Sequence, residues 1–271
     1  MKKSLVLFTI ICLILTIQPN LADANSNIKI QINGEVQSFS GMAMNGRTLV
    51  PLRGIFEKLE AEVEWKSDVQ QVIAANEYMF INLRIGSKVA RISNGEHEIP
   101  VVLDQPAIIS KGSTMVPLRF ISEALGAQVL WDSPTKTVSI TYNDELGEKA
   151  ADRITELAAT APDYTNPAEL KKFMENNYNS AKTSVKTYSL SNYKVEQKDG
   201  KILIKADFSD VRSYKNNFNK NVPDLKVWCE EVGMTLNLLL PDESISFTVN
   251  DGSNVLMKID VGFMIFYEIR P

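Results

Sequence analysis

Residues 46–53 read Gly46-Arg47-Thr48-Leu49-Val50-Pro51-Leu52-Arg53, and residues 112–119 read Gly112-Ser113-Thr114-Met115-Val116-Pro117-Leu118-Arg119. The two words stand 66 residues apart, and the spacing holds downstream. Glu57 aligns with Glu123, Leu59 with Leu125, Ala61-Glu62-Val63-Glu64-Trp65 with Ala127-Gln128-Val129-Leu130-Trp131, and Val72 with Val138. A constant offset without a gap marks one structural unit present twice.

Each copy has a physical reading. Thr-Leu-Val or Thr-Met-Val is β-branched and apolar, which favours a strand. Proline then removes a backbone donor, so the strand ends there or lies at a sheet edge. A short amphipathic helix follows. Ile55, Phe56 and Leu59 share its inner face in the first copy; Phe120, Ile121, Ala124 and Leu125 do so in the second. Gly126 fits the C-terminal cap of the second helix, and Glu60 holds that place in the first. Ala61, Val63 and Trp65 then alternate with Glu62, Glu64 and Lys66, as a half-buried strand requires. A polar turn and a last strand through Val72 or Val138 complete the unit.

Outward from the repeated word, Asn33-Gly34 and Asn94-Gly95 signal hairpins between strands 28–32 and 35–39, and between 89–93 and 98–103. Tyr78 to Ile85 is a further strand whose inward residues read as Tyr78, Phe80 and Leu83.

The run Asn-Gly-Arg-Thr-Leu-Val-Pro-Leu-Arg, then a helix, then Ala-x-Val-x-Trp resembles the copper amine oxidase N-terminal-like domain, also called the stalk domain, over about residues 28–142. The resemblance implies a small antiparallel sheet with a packed helix, found in exported proteins of Gram-positive bacteria, often beside cell-wall modules. It does not imply oxidase chemistry. In amine oxidases this region is an appendage, and the copper domain needs several histidines, whereas this chain has one.

The N-terminus reads as an export leader over residues 1–24. Lys2 and Lys3 precede an apolar run from Leu5 to Ile17, and Ala22-Asp23-Ala24 offers a small-x-small cleavage site. The apolar run, about 13 residues, is shorter than the roughly 20 of a spanning helix, so no stable membrane span is expected after cleavage. Loss of Lys2, Lys3 and Asp23 moves the formal net charge from −4 to about −5. An acidic surface disfavours nucleic acid as a partner. Only Cys229 remains, so no internal disulfide can form.

The texture changes after Tyr142, and residues 144–271 read as a second α+β domain, helices on an antiparallel sheet, of no recognised family. Asn143 caps one helix, and Asn166-Pro167 opens another. Lys198-Asp199-Gly200 and Asn250-Asp251-Gly252 mark hairpins. Pro223 starts a short helix that Gly233 stops, a strand follows at Leu236–Leu240, and one long strand runs from Val255 to Ile269.

Candidate chemistry is sparse. His97 reads as an exposed loop residue, and Cys229 as a buried thiol. Asp207 with Asp210, Glu230 with Glu231, and Asp242 with Glu243 are the closest carboxylate pairs, all at element ends or on solvent faces. Arg53 and Arg119 read as half-buried ties between helix and sheet, with Glu57 and Glu123 as partners; the other reading is an anion-binding pair. Trp65 and Trp131 read as core packing, with ligand contact as the alternative.

The sequence therefore leads to an α+β protein in three parts: leader 1–24, duplicated module 25–143, and second domain 144–271. The expected function is non-catalytic and extracellular, the module acting as a cell-wall-associated spacer or binding unit for peptidoglycan or another surface component. No catalytic residue, metal or cofactor is expected, and no oligomeric state is specified. Two rivals stand beside it: a wall or polysaccharide hydrolase with carboxylates in the second domain, and an inhibitor or sensor of a wall enzyme.

Overall fold

The computed structural model describes residues 28–271, without the side chains of residues 121–123. The leader read at 1–24 lies outside the described residues, as do the side chains of Ile121 and Glu123.

The first part comprises β1 (Ile28–Ile32), β2 (Glu35–Met44), β3 (Arg47–Pro51), α1 (Leu52–Lys58), β4 (Glu62–Lys66), β5 (Gln71–Ala75), β6 (Phe80–Arg84), β7 (Val89–Ser93), β8 (Glu98–Val102), β9 (Ile108–Ser110), β10 (Ser113–Pro117), α2 (Leu118–Leu125), β11 (Gln128–Asp132) and β12 (Thr137–Thr141). Strands β10, β11 and β12 begin and end 66 residues after β3, β4 and β5. Left-handed backbone recurs at the same offset: Asn45 and Lys111, Gly46 and Gly112, Glu60 and Gly126, Gln70 and Lys136. The hairpin turns that lead into β3 and β10, and the C-terminal stops of α1 and α2, are thus the same devices used twice.

The two repeated words meet. β3 and β10 pair antiparallel, with Val50 opposite Val116, Leu49 opposite Pro117 and Pro51 opposite Met115. Val116 is the counterpart of Val50, so a local pseudo-two-fold axis passes through that rung. Its flanks obey it: Met42, Ala43 and Met44 pair with Leu49, Thr48 and Arg47, while Ile108, Ile109 and Ser110 pair with Met115, Thr114 and Ser113. Both prolines lie in central strands, not at an edge. Each is the last residue before its helix, where a missing donor costs least.

The wings then part. β4 and β5 belong to a five-stranded sheet ordered β4-β5-β6-β7-β8. β11 and β12 join a seven-stranded sheet ordered β11-β12-β1-β2-β3-β10-β9, in which β12 runs parallel to β1. The architecture is α+β with strand dominant; the five-stranded sheet is antiparallel throughout, whereas the seven-stranded one is mixed, not the purely antiparallel sheet expected. Ile55, Phe56 and Leu59 of the first copy and Phe120, Ala124 and Leu125 of the second are buried in one core. In β6 the inward residues are Ile81 and Leu83; Phe80 faces out at 56% exposure, correcting its expected orientation.

Helix α3 (Asp144–Ala158) starts at the Asn143 cap, whose side chain accepts from the Leu146 N–H at 3.0 Å. It packs on the first core through Ile154, although it opens the chain beyond the duplicated module. α4 (Pro167–Asn177) has the expected Asn166 cap and proline at its start. The remaining elements are β13 (Ser180–Lys182), β14 (Thr187–Lys198), β15 (Lys201–Phe208), α5 (Val211–Asn216), α6 (Phe218–Leu239), β16 (Ser244–Asp251), β17 (Asn254–Val261) and β18 (Ile265–Ile269). The strands form a six-stranded sheet in chain order that is not the purely antiparallel one expected: β15 and β16 run parallel, because the α5–α6 crossover returns the chain to the same end of the sheet.

Four expectations fail here. Pro223 does not start a short helix, Gly233 does not end one, and Leu236–Leu240 is not a strand: α6 runs 22 residues, with Pro223 and Gly233 inside it, to Leu239. A Cβ at Gly233 would meet Ile265 Cγ2 at 2.5 Å, so this glycine admits β18 rather than terminating α6. Leu236, Leu238 and Leu239 are all buried because α6 is covered by the six-stranded sheet and by β7. The long terminal strand is two strands that fold back at Gly262–Met264, which leaves Phe263 fully exposed.

The duplicated module and the unit of the six-stranded sheet are joined through Lys88, just before β7. Its N–H donates to Thr235 Oγ1 at 2.9 Å, and its ammonium donates to the Asn177 carbonyl at 2.9 Å. The ammonium also lies 3.3 Å from Glu231 and 4.6 Å above the Tyr178 ring centroid.

Candidate ligand-binding cleft

A cleft of about 260 Å³ opens beside the first repeated word, lined by Arg53, Gly54, Trp65, Ser113 and Thr114 among others. The local sequence explains each wall. Trp65 alternates inward on β4 opposite Val72 and rests against the core while keeping one side open. Arg53 follows Leu52 in the first turn of α1; Leu52, Ile55 and Phe56 take the buried positions and leave Arg53 outward. Ser113 and Thr114 arrive from β10, brought across by its pairing with β3.

Arg53 is 58% exposed, with Glu57 3.9 Å away and equally exposed. It is not the half-buried tie expected, because the inner helix positions are filled by apolar side chains. Arg119 is also exposed, and it reaches Asp104 at 3.3 Å. Arg47 meets the other oxygen of the same carboxylate at 3.1 Å. The sequence reading missed this pair: Asp104 lies in the loop before β9 and no local spacing links it to either arginine. Trp131 is 45% exposed, against its expected core role. Its strand β11 is the outer strand of the seven-stranded sheet, so no further strand shields it.

The four singled-out residues therefore split. Arg53 and Trp65 share one cleft, whereas Arg119 is engaged by Asp104 and Trp131 lies on an edge strand. The cleft combines an indole, a guanidinium and two hydroxyls. That set suits a sugar ring, whose apolar face stacks on an aromatic side chain while its hydroxyls take hydrogen bonds.

The carboxylates read from the sequence have other tasks. Asp207 accepts from Asn192 at 2.9 Å. Asp210 caps α5 through the Ser213 N–H and pairs with Lys186, and the lysine's hydrogen bond holds its carboxyl below the usual range. Glu230 accepts from the Tyr267 hydroxyl at 2.7 Å. Glu231 is engaged by Lys88, yet burial pushes its carboxyl above the ordinary value. Asp242 is exposed and Glu243 half-buried in the turn between α6 and β16. His97 is exposed in the β7–β8 turn. Cys229 is buried, and desolvation pushes its thiol up to about 12. Among the described residues, no three His, Cys, Asp or Glu side chains converge to hold a metal ion. Nor is any described helix long and apolar enough to cross a membrane.

The geometry thus defines a doubled α+β module with an open cleft on its first copy. Residues 31–140 match the family described as Copper amine oxidase N-terminal domain, which spans both repeated words and ends before α3. No curated protein matches the chain.

Proposed function

We propose that this is a non-catalytic exported protein whose duplicated module binds the cell wall, with peptidoglycan glycan as the polymer held. The observation that carries the reading is the Trp65–Arg53 cleft, placed on the segment that matches the family. An aromatic wall beside a cation and hydroxyls holds sugar without performing chemistry on it. The export leader read at residues 1–24 agrees with an extracellular setting. The junction at Lys88 ties the second unit to the module by hydrogen bonds and an ion pair, as a wall-held spacer requires.

Co-sedimentation with purified peptidoglycan sacculi tests this. The leaderless chain is expected to pellet with sacculi and not with cellulose, and Trp65→Ala is expected to stay in the supernatant while keeping its fold. Equal pelleting of Trp65→Ala, or no pelleting of the wild type, contradicts the proposal.

A further inference from the structure

We infer that the groove at Trp65 takes an anionic glycan chain, one per protein, and that the counterpart of this site in the second copy has been sealed by an ion cluster. This rests on the cleft reading above and adds the charge of the occupant, its length and its stoichiometry.

Length comes from continuity. A second depression of about 200 Å³, lined by Phe39, Met42, Ser110 and Lys111, shares Pro51 and Ser113 with the Trp65 cleft. The two form one groove along the β3–β10 seam, suited to a chain of sugars rather than a single ring. Gly54 lies between them: a Cβ there would meet the Phe39 ring at 2.8 Å, so the glycine lets Phe39 settle at the groove.

Charge comes from what lines it. Arg53 stands at the Trp65 end and Lys111 at the Phe39 end. The carboxylate beside Arg53 is Glu57, 3.9 Å away with both side chains 58% exposed. A surface pair that long is worth little and yields to a better-placed acid. Two cations, two aromatic side chains and four hydroxyls in series match sugars carrying carboxylates, the guanidinium offering paired donors to an acid group.

Stoichiometry comes from comparing positions 66 residues apart. Phe120, buried, replaces Gly54; Arg47 replaces Ser113; Asn45 replaces Lys111. Arg119, the counterpart of Arg53, meets Asp104 at 3.3 Å, and Arg47 holds the same carboxylate at 3.1 Å. The second copy thus spends its arginine on an internal acid where the first presents it to the groove.

Isothermal titration of the leaderless chain tests the inference, using a hyaluronan octasaccharide and a neutral N-acetylglucosamine hexamer as probes. One site per chain is expected, with the acidic oligosaccharide about tenfold tighter, the factor that a charge-assisted hydrogen bond supplies. The preference should shrink at about 0.5 M salt, where screening shortens to a few ångströms. Arg53→Gln and Lys111→Gln should each remove most of it. Arg119→Gln, checked for an intact fold by circular dichroism, should leave affinity unchanged. Equal affinity for both probes, two sites, an equal loss from Arg119→Gln, or no binding of either probe overturns the inference. Trp65-dependent pelleting with sacculi decides the broader proposal separately.

Discussion

At the residue scale, the 66-residue offset places different side chains in the same backbone state, which makes their costs comparable. Glu60 and Gly126 both stop a helix with positive φ, at 61° and 70°. A left-handed residue with a Cβ is strained by about 1–2 kcal/mol, partly offset by the chain entropy that glycine loses on folding. Glu60→Gly should therefore stabilise the protein by up to about 1 kcal/mol in urea denaturation. Gly126→Ala should destabilise it by about 2 kcal/mol or more, because its Cβ would also meet Ala150 Cβ and the Leu146 carbonyl, each at 2.6 Å. Gln105 offers a third case. It is 7% exposed, and neither its amide nitrogen nor its oxygen finds a hydrogen-bond partner. Exchange for leucine should raise stability by about 1 kcal/mol, since an unpaired buried amide costs more than an apolar side chain of similar size. The caps at Asn143 and Asn166 and the stop at Gly126 were legible in the sequence because each depends on neighbours within four residues. The Arg47–Asp104–Arg119 cluster was not, because it depends on a strand pairing across the pseudo-two-fold axis.

At the element scale, the repeated strands and helices were legible, because proline and glycine punctuate them and hydrophobic alternation fills them. Helix α6 was not. Its leucines are buried on more than one side, which erases the amphipathic pattern and imitates a buried strand. Gly233 misled for the same reason: its role lies in contact with Ile265, not in its own backbone. Gly233→Ala should destabilise the protein in chemical denaturation even though alanine favours a helix by about 1 kcal/mol, because the added Cβ would lie 2.5 Å from Ile265 Cγ2. A gain in stability would show that β18 can move aside freely. The junction element is β7. Lys88→Ala would leave Glu231 three-quarters enclosed without its ammonium, and would strip a donor from the Asn177 carbonyl. A loss of about 1–3 kcal/mol is expected, with the unfolding of the duplicated module and of the six-stranded unit less closely coupled.

At the scale of the whole molecule, packing supplies stability without a disulfide among the described residues, and the shifted titratable groups set the pH at which it is lost. Asp163, Asp210 and Asp224 accept hydrogen bonds that lower their carboxyls, so their contribution is present above the unfolded value near 3.9 and disappears as pH falls through the depressed folded values. Glu231 acts in the opposite sense, because burial raises it: its contribution is present below about 4.3 and fades as pH rises through the raised folded value. At the alkaline end, burial raises Cys229 and the tyrosines Tyr178, Tyr193 and Tyr214, so stability should decline above about pH 8.5, where the unfolded thiol ionises first. Thermal melts across that range check the sign. The mixed α+β class was legible at this scale from alternating elements. The parallel pairings of β1 with β12 and of β15 with β16 were not, since register between distant strands leaves no local mark. The central claim is that one of two related sites is open. The chain's three tryptophans report on it separately, as Trp65 lines the cleft, Trp131 lies on edge strand β11 and Trp228 is 7% exposed within the second core. In ¹⁵N-labelled protein, their indole N–H resonances can be followed as solubilised peptidoglycan fragments are added. The account predicts a saturable shift of the Trp65 signal with Trp131 and Trp228 unmoved; an equal shift of Trp131, or no shift of Trp65, would contradict it.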